Sequence, residues 1–160
     1  MPILSDHLKA ILFSDNILEN GRNVEKDKCP TIQHFTYQCQ RNRNDAGIPY
    51  GRTVPTELRF TIRLGKPDDG KIFYQQLVLN NLFDHTFIFN ATFDQNKRLR
   101  DYDDAMVVRG YVVDVKEDYD PVMTANGTMD QMLIEVTLLL SSIVYLGKED
   151  RHKKLEITIF

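Results

Sequence analysis

The clearest signal in the chain is an alternation of apolar and polar residues with period two over Glu57–Leu64. Leu58, Phe60, Ile62 and Leu64 alternate with Glu57, Arg59, Thr61 and Arg63. Successive side chains of a strand point to opposite faces, so this pattern predicts a strand with one buried face and one wet, charged face. Thr31–Gln40 alternates more loosely and predicts a strand before it. Between the two lies a polar segment, Arg41–Thr56, punctuated by Gly47, Pro49, Gly51 and Pro55. It is too long for a tight hairpin turn and reads as a long loop, a feature that is usually functional or disordered.

The same reading extends along the chain. Leu8–Phe13 is a short apolar run that predicts a first strand, and the polar stretch after it, with Asn20-Gly21 as a turn signal, predicts a loop holding a brief helix or strand. Gly65–Gly70 ends the clean strand and offers Asp68 or Asp69 as the cap of a helix over Lys71–Phe83. That helix carries an imperfect stripe of Ile72, Phe73, Leu77, Leu79 and Phe83. Thr86–Phe93 returns to strand chemistry, and Asp94–Asp104 reads as a charged turn or hairpin tip. Met106–Glu117 predicts a strand with Gly110 as a bulge, and Asp118–Asp130, with Pro121 and Asn126-Gly127, predicts a loop. Leu133–Leu146 reads as a long strand apolar on both faces, which calls for cover on both sides. Gly147–Lys154 reads as a charged turn and Leu155–Phe160 as a short terminal strand. No βαβ alternation is present. The elements predict a mainly β fold: an antiparallel β-barrel or sandwich of about seven to eight strands with one accessory α-helix at about 71–83.

Composition adds limits to that picture. At 160 residues, 42% hydrophobic and 27% charged, the chain reads as one globular domain over 1–160 with length enough for a substantial core. A net charge of −3 argues against nucleic-acid binding through bulk charge. The start, MPILSDHLKAILF, lacks the basic n-region and small-residue cleavage site of a secretory signal. The most apolar window, Met132–Leu146, is too short and carries Glu135, so no membrane insertion is expected. Cys29 and Cys39 lie ~33 Å apart if the chain between them is extended. A disulfide needs Cα atoms within ~6 Å, so two reduced thiols are expected.

Candidate chemistry is sparse. No Gly-rich phosphate loop, nucleophile elbow or metal-spaced His pair occurs, and His7, His34, His85 and His152 are scattered. Asp101, Asp103 and Asp104 lack the Gly and the distal Glu of a calcium loop. Ser141-Ser142 has no His or Asp close in sequence and reads as small residues at a strand crossing. Arg41, Arg43, Arg52 and Arg59 interleave with Tyr37 and Tyr50, yet Asp45 and Glu57 accompany them, so a charged loop is the preferred reading over a nucleic-acid site. The chain is expected not to be an enzyme, and no cofactor or metal is implied.

Three blocks in order resemble the type VI secretion tube proteins, the Hcp or TssD family, in a divergent form. In Tyr37–Ile62, Asn44, Gly47, Pro49 and the strand from Leu58 fall on the family's pattern of Tyr-containing strand, polar Asp-Gly-x-Pro segment and alternating strand. Gly110–Asp120 (GYVVDVKEDYD) is similar to the family's strand followed by Lys-Glu-x-Phe-Asp, and Met132–Gly147 to its closing strand; His7–Ser14 also looks like its first strand. The departures are a longer Asn16–Pro30, an insertion in Asp118–Asp130, Ile48 and Tyr50 in the loop, and an extra strand at about 155–160.

The resemblance implies a structural subunit of the inner tube of a contractile injection apparatus. Such subunits form stacked hexameric rings that carry or chaperone effectors. The implied partners are further copies of the chain, the sheath and spike proteins of the apparatus, and effector proteins in the channel, with no nucleic acid. The protein is then cytoplasmic on synthesis and exported without a signal peptide. Ring stacking needs an element that reaches a neighbour, for which Arg43, Asn44, Asp45, Gly47, Pro49, Tyr50 and Arg52 are the candidates. Ring closure needs a heterologous contact, for which the two-sided strand offers Leu133, Val136, Leu138 and Leu140. The alternatives are a phage-like tail tube protein, or a monomeric β-barrel holding a small ligand in its interior.

Overall fold

The computed structural model describes residues 9–37, 40–54, 56–64, 70–124, 127–147 and 154–158. Among the described residues eleven strands and two short α-helices follow one another: β1 Ala10–Phe13, α1 Ile17–Asn20, β2 Ile32–Tyr37, β3 Gln40–Arg43, β4 Pro49–Val54, β5 Glu57–Leu64, α2 Lys71–Val78, β6 Phe83–Phe89, β7 Thr92–Phe93, β8 Leu99–Asp101, β9 Asp104–Thr124, β10 Gly127–Gly147 and β11 Lys154–Thr158. Two 3-10 turns, Gly21–Asn23 and Lys26–Lys28, lie between α1 and β2.

Seven strands make one antiparallel sheet in the order β1-β6-β9-β10-β5-β2, and β11 pairs with β10 beyond the end of β5. The sheet curls into a half-barrel. Its two edges meet where Ile11 bridges Thr31 and the Leu12 N–H donates to the Pro30 carbonyl at 2.9 Å. The fold is therefore the mainly β, barrel-like one that the alternation predicts. β5 behaves as its pattern requires, with Leu58, Phe60 and Ile62 fully buried and Leu64 nearly so.

A β-bulge sets which residues of β10 face inward. Before it, Ile134, Val136, Leu138 and Leu140 enter the main core with Leu12, Phe60, Phe73 and Phe87. The register with β9 shifts between Leu140 and Ser142, leaving Ser141 as the extra residue. After it the odd residues Ile143 and Tyr145 face that core, while Val144 and Leu146 join a second cluster on the outer face. A second shift leaves Val113 unpaired on β9, where it is exposed. Gly110 is thus not itself a bulge. It faces Leu140, and a Cβ there would lie 2.5 Å from the Leu139 carbonyl oxygen.

The outer cluster corrects the reading of Leu133–Leu146. Ile17, Val24 and Cys29, from the α1 and 3-10 segment, cover Ile88, Ala105, Val107 and Leu146. At the Val144–Leu146 end of the strand the second cover is supplied by the chain's own residues, while Leu133 and Leu139 stay partly exposed. Of the four residues expected at a ring contact, Val136, Leu138 and Leu140 are fully buried in the protomer's core, and only Leu133 is partly exposed. Ile134, Val136, Leu138, Leu140, Ile143 and Leu146 of the strand are occupied by folding.

Three further expectations change. Arg41–Thr56 is not an irregular loop: β3 and β4 pair in it as a separate two-stranded ribbon. Asp118–Asp130 is not a loop either, because β9 and β10 stay paired up to Thr124 and Gly127. Pro121 fits since its missing N–H falls on a strand whose pairing with β6 has already ended at Gly110. The helix stops at Val78 instead of Phe83. Asn80-Asn81 interrupts the apolar stripe, and Phe83 opens β6. Its N-cap position is Gly70; Asp68 and Asp69 lie outside the described residues.

Candidate assembly site

The ribbon Gln40–Val54 is a separate two-stranded sheet that lies in the chain between β2 and β5, where Tyr37 is opposite Leu58. Its tip is a compact turn. The Asn44 N–H donates to the Ile48 carbonyl at 3.0 Å and the Gly47 N–H to the Asn44 carbonyl at 2.9 Å. The Asn44 side-chain oxygen accepts from the N–H groups of Ala46 and Ile48 at 3.0 and 2.9 Å. Gly47 has φ +82°, the left-handed conformation that closes such a turn. The positions singled out from sequence, Asn44 and Gly47, therefore have a local structural role: they order the tip.

That order presents a set of exposed side chains. Arg43, Asn44, Asp45, Pro49 and Tyr50 are exposed, and Ile48 and Tyr50 are more than half exposed despite being apolar. Arg52 lies in β4 at the irregularity between the Arg41–Thr53 and Asn42–Tyr50 pairs. An apolar pair on the point of a two-stranded ribbon is costly in water, and it is a feature suited to contact with another surface. The structure brings Arg43, Asp45, Ile48 and Tyr50 together on one ribbon and separates them from Val136, Leu138 and Leu140, which are inside.

Other features offer little catalytic chemistry. Among the described residues no three His, Cys, Asp or Glu side chains converge as a metal site would require. Cys29 is a free, buried thiol whose pKa burial pushes up to about 11, so it is not a reactive thiolate. Cys39 lies outside the described residues, as do His7 and His152; His34 is exposed. His85 is fully buried, stacks on Phe73 and shares a 2.8 Å hydrogen bond with Gln76 Oε1 through Nε2. Desolvation drives its pKa down to about 4, which makes it a neutral core group that ties β6 to α2.

Two surfaces escaped the sequence reading. A cavity of about 370 Å³ opens at the ribbon end of the barrel, lined by Phe35, Tyr37, Phe89, Met106, Tyr145 and Leu146. The hydroxyls of Tyr37 and Tyr145 hydrogen-bond across it. Helix α2 exposes Tyr74, Leu77 and Val78, followed by Leu79. The residues were visible in the sequence, but which strand ends converge on them depends on the curl of the sheet.

No family model and no curated protein matches the chain. Solved structures do. The crystal structure of an Hcp protein superposes with a TM-score of 0.61 at 10% identity, covering 94% of this chain and 99% of that one. The chain has the Hcp fold. Hcp1 of E. coli EAEC 042 (TM-score 0.54, 12% identity, 96% and 99% covered) and the secreted protein Hcp3 of Pseudomonas aeruginosa (0.52, 8%, 95% and 98%) agree with it. The match spans the whole Hcp fold end to end, and at this identity it speaks for architecture alone. Among the described residues no helix is long and apolar enough to cross a membrane.

Proposed function

We propose that this chain is a structural subunit of the inner tube of a type VI secretion apparatus, a ring-forming protein whose stacked hexamers carry or shelter effectors. The observation that carries the reading is the joint occurrence of an end-to-end Hcp fold and an ordered, exposed ribbon at Gln40–Val54. The ribbon is the stacking element, with Arg43, Asp45, Ile48 and Tyr50 as the residues that touch the neighbouring ring. Ring closure falls to surfaces other than Val136, Leu138 and Leu140, and the exposed residues of α2 are the first to test. The partners are further copies of the chain, then the sheath and spike, then effectors in the channel. The role is mechanical and not enzymatic.

Light scattering after gel filtration, with negative-stain imaging, decides the matter. Rings of six subunits and short stacks are the expected result, and a strictly monomeric protein at high concentration overturns the reading. The cavity beneath Tyr37 and Tyr145 supports a second reading, a monomeric barrel for a small apolar ligand with one hydrogen-bonding group. A monomer that takes up such a ligand, with its tyrosine fluorescence altered, favours that reading instead.

A further inference from the structure

The two ends of the barrel are closed differently. At the Leu64 end of β5, α2 lies across the opening. A Cβ on Gly70, its N-cap, would stand 3.1 Å from both Leu64 and Ile134, and Phe73 meets Phe60 edge to face at 5.9 Å. At the other end, where Tyr37 faces Leu58, the cavity of about 370 Å³ is open. The sheet register builds its rim. Phe89, Asp104 and Gly147 stand side by side on β6, β9 and β10, and Phe87, Met106 and Tyr145 form the next row inward.

The walls are aromatic. The Phe35 ring stacks on the fully buried Phe87 at 5.3 Å and stands 5.8 Å from Phe89 and 6.3 Å from Tyr37. Phe35, Tyr37, Phe89 and Tyr145 are only half-buried, so the chain itself leaves part of each ring uncovered. Asp104 is exposed at the rim, and no Lys, Arg or His accompanies it among the described residues of the lining. Gly147 keeps the space beside it open, since a Cβ there would sit 3.7 Å from Asp104 Oδ1.

These features select a ligand by charge. Aromatic faces carry a negative quadrupole that attracts a cation, and a carboxylate at the rim adds to that attraction. The carboxylate oxygens accept from N–H donors, and the ring surfaces take an apolar body. An anion is repelled by both, and a neutral molecule forgoes both attractions. The volume suits one small molecule.

We propose that this mouth of the barrel binds a small organic cation, a primary ammonium on an apolar body, with the ammonium at Asp104 and the body against Phe35, Phe89 and Tyr145. The proposal rests on the ligand reading of the cavity and names the charge of the ligand's polar group. It is independent of whether the chain forms rings.

Isothermal titration of the full chain at pH 7 tests it with three probes of one shape. Phenethylamine, phenethyl alcohol and hydrocinnamate carry a positive, a neutral and a negative head. The amine binds at least about fivefold more tightly than the alcohol, from the modest contributions of an exposed ion pair and a cation–π contact, and the anion binds more weakly than either. Asp104→Asn lowers the affinity for the amine about threefold and leaves that for the alcohol unchanged. Asp103→Asn removes the same charge one residue away, outside the lining, and leaves both unchanged. Raising NaCl from about 50 mM to about 500 mM narrows the gap between amine and alcohol. Equal affinity for the three probes, or an amine preference that survives intact in Asp104→Asn, overturns the cation assignment and leaves a cavity for neutral apolar ligands. Binding of none of the three overturns the ligand reading as well, while ring formation is judged separately by light scattering.

Discussion

Two hairpin tips in this molecule are built by the same turn and differ in what surrounds them. In Asn44–Ile48 and in Asp94–Arg98, the first side-chain oxygen accepts from the N–H groups two and four residues on. The fourth residue is left-handed in both, Gly47 at φ +82° and Lys97 at φ +62°. The second tip is tied to its own chain. Lys97 Nζ meets Asp27 at 2.7 Å, Arg98 meets Glu25 at 3.0 Å, and the Lys26 N–H donates to the Lys97 carbonyl at 3.0 Å. The first tip instead exposes Ile48 and Tyr50. Turn chemistry fixes the shape of a hairpin, and what surrounds it decides whether the hairpin seals the fold or offers itself to a partner.

Removing each tip should break the pair in opposite ways. Deleting Asn44–Tyr50 is expected to abolish stacking while the melting temperature stays within about 2 °C of wild type, since the lost residues are exposed. Replacing Asp94–Arg98 with two glycines should lower the melting temperature by roughly 5 °C, through lost backbone bonds to the 3-10 segment, and leave stacking intact. Long stacks from the first variant would remove the distinction.

Both hairpins hang from one barrel, so a change in the barrel should favour neither. His85 provides it. Its folded pKa of about 4 lies below its ordinary 6.5, so the folded state binds fewer protons in that interval. Stability is fully present above pH 6.5 and is lost as pH falls toward 4, by about 3 kcal/mol in all. Urea titrations at pH 7 and pH 4.5 measure it. A His85→Gln variant, compared with wild type over the same range, should show a flatter slope, and an unchanged slope would assign the effect to other groups.

Beneath the tied hairpin, Val24 is fully buried, and its carbonyl accepts the Leu99 N–H at 3.3 Å. Val24→Ala should cost about 2 kcal/mol through the cavity it leaves. Hydrogen exchange should then rise around Arg98–Arg100 and stay unchanged at Asn44–Ile48.

How much of this was legible in the sequence follows from the range of the physics involved. The barrel was legible because alternation over Glu57–Leu64 is a local pattern that needs no partner to be read. The Asp94–Asp104 tip was legible for the same reason. The ribbon at Arg41–Thr56 was not, because its strands are polar on both faces and give no period. β9 and β10 were hidden past Asp118 by Pro121, which reads as a breaker until the neighbouring strand is known to be absent at that point. The inward face of β10 was hidden by Ser141, since one extra residue reverses which side chains meet the core. Of the candidate site, the tip residues Asn44 and Gly47 were found through the family resemblance, and Gly47 also as a loop punctuator; their shared turn was not read. Val136, Leu138 and Leu140 misled because an apolar strand does not say which of its covers is the chain itself.

At the free tip, Gly47 has nothing within 4 Å of where a Cβ would stand. The cost of Gly47→Ala is therefore purely that of the left-handed backbone, about 1 kcal/mol. This is the smallest of the effects, and it discriminates well between shape and contact. If stacking needs an ordered tip, the substitution weakens assembly by several-fold while the barrel's urea midpoint moves little. Asn44→Ala provides the matched control, removing the two side-chain bonds to Ala46 and Ile48 with the glycine kept. Equal losses from both place the requirement in the turn's shape. A loss from neither shows that Ile48 and Tyr50 reach their partner without the turn that holds them, and the parallel with the tied hairpin would then be one of geometry only.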